Sequence, residues 1–219
     1  MQKPLLYLLL FSLLFVSCRS VTNDRLALEQ ATRAMEELKL GNSKEAALLL
    51  REAVRLDSDS VRYRYNLGIA LLQDHQYDQV IKLADESFSM FEHQIRFLLL
   101  KAKALTEMEQ YQQALEEYQR LFALNPGSYI LQAEVMQQAL SWGFDEKAKS
   151  LANRLILVSE YQEEAFAVLA SLDEEQLWYA DVLNYLKKEV STTDPSQPQL
   201  ESKPEDEPSS AEASGPPEQ

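Results

Sequence analysis

From Ala27 to Gln162, apolar and polar positions recur with a period of 34 residues and no insertion, in four blocks: 27–60, 61–94, 95–128 and 129–162. The second block reads VRYRYNLGIALLQDHQYDQVIKLADESFSMFEHQ, and the third reads IRFLLLKAKALTEMEQYQQALEEYQRLFALNPGS. Each predicts a helix of about fourteen residues, a tight turn, a second helix and a short break. A unit this short cannot bury its own apolar face and must stack on copies of itself. The expected fold class is therefore all-α, a solenoid of helical hairpins. Residues 163–190 predict two further helices that cap the stack. Ala165, Phe166, Leu169 and Leu172 share one helical face, as do Leu177, Ala180, Leu183, Leu186 and Val190. Asp173-Glu174-Glu175 suits a helix start, because carboxylates favour the positive end of the macrodipole. Trp178 and Tyr179 are expected to pack against the fourth block.

Particular residues within the blocks resemble the tetratricopeptide repeat. Tyr65-Asn66-Leu67-Gly68 stands where that family has its Leu-Gly pair. Tyr77, Tyr111 and, one place earlier in its block, Phe144 follow the turn. Ala46, Ala114 and Ala148 hold the small position of the second helix, where bulk sets how closely two helices approach. Ala53 holds the later Ala position, and Asn125-Pro126 sits where the second helix stops. Val80 and Met136 depart from the pattern in blocks two and four, and each is expected to hold its own helix pair farther apart. Arg33 and Glu37 replace apolar residues in block one, as suits an end-of-stack repeat with one face in water.

The resemblance implies that the first helices line a concave surface. It places Leu28, Ala31, Thr32, Met35, Leu38 and Lys39 of block one on that surface. Block two supplies Arg62, Tyr65, Asn66, Ile69, Leu72 and Gln73, and block three supplies Arg96, Leu99, Leu100, Lys103, Thr106 and Glu107. Block four adds Ile130, Ala133, Glu134, Gln137, Leu140 and Ser141. The implied partner-binding groove centres on Arg62, Tyr65, Asn66, Ile69, Gln73, Arg96, Leu99 and Lys103. Its bases outnumber its acids on a strongly acidic protein. Such a surface suits a peptide with apolar anchors and some negative charge; the same bases also serve simply to solvate the face. Asn66 and Arg96 match two positions of a clamp that some tetratricopeptide domains use for a chaperone's terminal carboxylate. Ala31, Met35 and Leu100 do not match it, so that partner is not expected.

The two ends differ from the middle. Lys3, the apolar run Leu5–Val16 and Ser17-Cys18 describe a secretory signal over residues 1–17. As a helix that run extends roughly 18 Å, against a bilayer core of about 30 Å. Phe15-Val16-Ser17-Cys18 resembles the bacterial lipoprotein signal, which implies cleavage before Cys18 and lipidation of its sulfur and amine. The alternative is an ordinary signal that leaves a free thiol on the chain's one cysteine, an odd outcome in a secreted protein. Residues 18–26 form the lipidated tether on this reading, and Arg19–Asn23 allow a reach under roughly 20 Å. Arg19, where related inner-membrane proteins often have Asp, favours the outer membrane. Residues 191–219 carry six prolines and seven acids against one lysine. Their composition predicts disorder, with Glu205-Asp206-Glu207 free to reach back to Arg62, Arg96 and Lys103 and compete with a partner.

The formal charge of −14 repels nucleic acid and anionic lipid. His75 and His93 fall in turns and do not have metal-ligand spacing. Glycines occur singly, and neither a Gly-x-Ser-x-Gly elbow nor a His-Glu-x-x-His pair is present. Adjacent acids such as Glu36-Glu37 and Glu116-Glu117 read as solvated helix faces. No enzyme activity, cofactor, metal or nucleic-acid partner is expected. The expected role is a membrane-anchored adaptor in the bacterial envelope, facing the periplasm, with a protein or peptide in its groove. The alternative is an accessory ligand-handling subunit of a transport system. The oligomeric state is open.

Overall fold

The computed structural model describes residues 22–91, 94–172 and 178–192. The expected signal segment, Cys18, His93, the Asp173-Glu174-Glu175 helix start and the acidic tail from residue 193 lie outside the described residues. The described residues form ten helices and no strand. They are α1 (22–39), α2 (Ser43–Leu56), α3 (Val61–Gln73), α4 (Tyr77–Met90), α5 (Arg96–Glu107), α6 (Tyr111–Leu124), α7 (Tyr129–Ser141), α8 (Asp145–Leu155), α9 (Gln162–Leu172) and α10 (Trp178–Thr192). The described part of α1 already includes Thr22, ahead of the first block.

The turn inside each block is built the same way. A residue with left-handed backbone follows the first helix: Gly41 at φ 81°, His75 at 57°, Glu109 at 59° and Gly143 at 77°. The next residue then donates its N–H back five places. Asn42 bonds the Glu37 carbonyl at 2.9 Å, Gln76 bonds Leu71 at 2.9 Å, Gln110 bonds Leu105 at 2.9 Å and Phe144 bonds Ala139 at 2.8 Å. This satisfies carbonyls that the helix end would otherwise leave without partners.

Successive helices pack on one another, and α3 also touches α5 as α7 touches α9. α9 keeps the packing pattern of the series, and α10 packs on α9 at its end. Leu169 and Ala170 lie 34 residues after Val135 and Met136, and α9 packs on both α8 and α7. Tyr179 is 7% exposed and joins the apolar cluster that holds fourth-block residues such as Met136 and Leu155, whereas Trp178 stays 49% exposed. Both pack on Phe166 of α9, with ring centroids 6.1 Å away in both cases.

Two apolar clusters fill the solenoid and meet on α5. Phe97, Leu100 and Ala104 face the first; Leu98, Ala102 and Leu105 face the second. The departures noted in the sequence act in different places. α3 and α4, with Val80, approach less closely than α5 and α6 or α7 and α8. Met136 does not separate α7 from α8. The loose seam lies instead between α6 and α7. Tyr118, 3% exposed, sits at this seam, in a place held by Leu50, Ala84 and Ala152 in the other blocks. It is the bulkiest of the four, and the seam beside it is the loosest.

Of Glu116-Glu117, expected to be solvated, Glu116 is exposed and Glu117 is not. Glu117 is 8% exposed. Its carboxylate accepts from Lys101 Nζ at 2.9 Å and Arg120 at 2.6 Å, and Lys101 also donates to Asp85 at 2.8 Å. Burial is paired with opposite charge here, as a low-dielectric site demands.

Candidate functional site

α1, α3, α5, α7 and α9 supply one face of the stack, and their side chains define the candidate groove. Arg62, Gln73, Arg96 and Lys103 are exposed, while Tyr65, Asn66, Ile69 and Leu99 are half-buried. Leu100 and Ala133 are buried and are not available on the surface expected for them, whereas Ala31, 5% exposed, still borders a cleft there. Leu100 has a clear reason. A Cβ placed on Gly68 would lie 2.5 Å from Leu100 Cδ1, so the glycine lets α5 close against α3 and the leucine fills that contact.

The eight residues do not form one cluster. Arg62 and Asn66 line a cleft of about 270 Å³ with Leu28, Ala31, Thr32 and Met35, between α1 and α3. The Arg96 guanidinium lies over the Tyr65 ring at 5.2 Å, and that ring meets Phe97 edge-on at 6.4 Å. A guanidinium held this way is oriented without losing its charge. Ile69 packs on the first apolar cluster and Leu99 on the second. Gln73 points elsewhere: its Oε1 accepts from Ser43 Oγ at 3.3 Å, and it borders a hollow of about 410 Å³ at the α1–α2 turn.

Lys103 lines a third hollow, of about 370 Å³, with Leu72, Thr106, Glu107, Tyr118, Leu131, Glu134 and Gln138. Most of these come from α5 and α7, but Tyr118 arrives from the second helix of its block. Its hydroxyl lies beside Thr106 and near Glu134. Burial pushes its pKa above the usual range, Thr106 opposes this by hydrogen bonding, and the Glu134 charge adds to the rise. The sequence reading named the α5 and α7 residues other than Leu131 and Gln138, and missed Tyr118. The missed signal was the run Leu50, Ala84, Tyr118, Ala152 at one place in successive blocks.

Among the described residues no group of three His, Cys, Asp or Glu side chains could hold a metal ion. His75 Nδ1 lies 2.7 Å from the Tyr77 hydroxyl in the α3–α4 turn. No helix among the described residues is long and apolar enough to cross a membrane.

Comparison with known proteins agrees with this geometry. Residues 31–86 match the tetratricopeptide repeat family. The chain is 27% identical over 138 residues to the TPR repeat-containing protein YpiA of Bacillus subtilis, covering 63% of this chain. It spans only 33% of the length of that relative. Among solved structures, a tetratricopeptide repeat protein from Parabacteroides merdae superposes with a TM-score of 0.61 at 18% identity, covering 77% of this chain and 68% of the other. MamA from Desulfovibrio magneticus RS-1 superposes with a TM-score of 0.59 at 16% identity, covering 77% and 97%. At these identities the solved structures speak to fold.

Proposed function

We propose that this tetratricopeptide-repeat chain is an interaction scaffold that binds a protein or peptide partner along the face formed by its first helices. The observation that carries this reading is the Tyr65–Arg96 pair. An aromatic ring and an oriented guanidinium lie at the centre of a groove flanked by two open hollows. Aromatic and arginine side chains are the commonest anchors of protein interfaces. The hollow beside Lys103 is lined largely by polar and charged groups. That favours a hydrated peptide over the apolar channel that ligand handling for a transporter would call for.

The scaffold works at the periplasmic face of a bacterial envelope membrane, outer rather than inner, held by lipid on Cys18. The residue pattern through Cys18 supports this reading, and Thr22, four residues on, already belongs to α1. The protein performs no chemistry of its own.

Photo-crosslinking side chains placed at Tyr65 and Leu99 in cells should capture the same discrete partner. The same probe at Lys82, 79% exposed on α4, should not. Equal capture from all three positions would remove the groove from this account.

A further inference from the structure

α3 touches α5 and α7 touches α9, but α6 meets α7 loosely, and a hollow lined by Tyr118 lies on the groove side between α5 and α7. At about 370 Å³ it stands at the small end of the roughly 300–1,000 Å³ of ligand sites. That scale suits one side chain better than a cofactor. Resting on the groove reading above, we propose that this hollow takes a lysine or arginine side chain of the partner, while an acidic residue of the same partner lies over Arg62 and Arg96.

Four observations support the assignment. First, the charges at the hollow are two carboxylates, Glu107 and Glu134, against one ammonium, Lys103. Second, Glu134 has no ion-pair partner among the described residues, whereas the buried charges Lys101 and Glu117 are paired. Third, the acceptors lie beside apolar walls. Leu72, Leu131 and the Tyr118 ring can cover a methylene stem while the carboxylates receive the charged end. Fourth, charge is ordered along the stack. Arg62 and Arg96 come first, Glu107 and Glu134 follow, and exposed Glu164 continues the series on α9. A segment with acid and base at a set spacing is thereby favoured in one direction, and its reverse places like charges together.

The test pans a phage-displayed random-peptide library against the full-length protein. Recovered peptides should share a lysine or arginine at a set distance from an aspartate or glutamate. Glu107→Lys with Glu134→Lys should abolish selection for the basic residue and weaken a selected peptide at least tenfold, leaving the acidic position selected. Arg62→Glu with Arg96→Glu should do the reverse. Glu134→Gln, which keeps the shape, should give a smaller loss, and circular dichroism checks the helices of every variant. Peptides that bind the groove but carry no basic residue, or that ignore Glu134, overturn this inference and leave the groove reading standing. A library that yields no peptide sensitive to any groove substitution overturns both.

Discussion

Lys101 and Glu117 occupy places that hold apolar residues in the neighbouring blocks. The equivalent pairs are Leu67 with Leu83 and Val135 with Leu151. In the third block alone a charged pair replaces an apolar one, and each member makes sense only with the other. Lys101→Met leaves Glu117 with only Arg120, and Glu117→Leu leaves Lys101 with only Asp85. Each single change should destabilise by about 2–3 kcal/mol, below the roughly 3–5 of a fully buried pair because both side chains keep some water. The double variant should sit within about 1 kcal/mol of the parent. Urea unfolding of all four proteins measures the coupling, and additive single effects would refute it. The pH dependence has a definite sign. Burial pulls the Lys101 ammonium down, but hydrogen bonds to Asp85 and Glu117 outweigh it and the net shift is upward. Its contribution is full below the ordinary lysine value of 10.5 and is lost as pH rises beyond it. The double variant should therefore lose less stability in alkali than the parent, with Tyr118 accounting for part of what remains.

The repeated turn invites a comparison between its four copies. Gly41 and Gly143 adopt left-handed backbone freely, while His75 and Glu109 adopt it against the usual preference of L-residues. Glu109→Gly should stabilise by about 0.5–1 kcal/mol, raising the thermal midpoint by about 1–4 °C. Gly143→Ala should lower it by a similar amount, since no atom lies within 4 Å of the added Cβ and φ alone opposes the change. A thermal scan showing no difference for either would mean that the turn relaxes. Helices, turns and their order were readable because a period of 34 repeats the same local physics in each block. Pro126 and the alanines at 46, 114 and 148 state that physics in residue type. What could not be read was where blocks differ in three dimensions. Tyr118, taken alone, is an ordinary apolar helix residue; only its place at the α6–α7 seam brings it to the hollow beside Lys103. Glu117 looked solvated because its counter-ions come from other turns and other helices. The groove was legible as a face but not as separate hollows. Its division follows from side-chain bulk at contacts such as Gly68 with Leu100.

At the scale of the molecule, two apolar clusters share α5, and the groove crosses that shared helix. If the proposed lipid anchor holds, Cys18→Ser in the full chain should shift the protein from the membrane pellet to the soluble fraction of a bacterial lysate. Persistent pelleting after a high-salt wash would remove the lipid anchor. The paired charges within the third block also bear on how such a chain can change over time. Repeat proteins gain and lose units by recombination between similar stretches. A crossover falling between residues 101 and 117 parts the two members of the pair and leaves a poorly solvated ion with one counter-ion fewer in the daughter protein. A crossover outside that stretch keeps the pair together, so this unit is best inherited, copied or discarded as a whole.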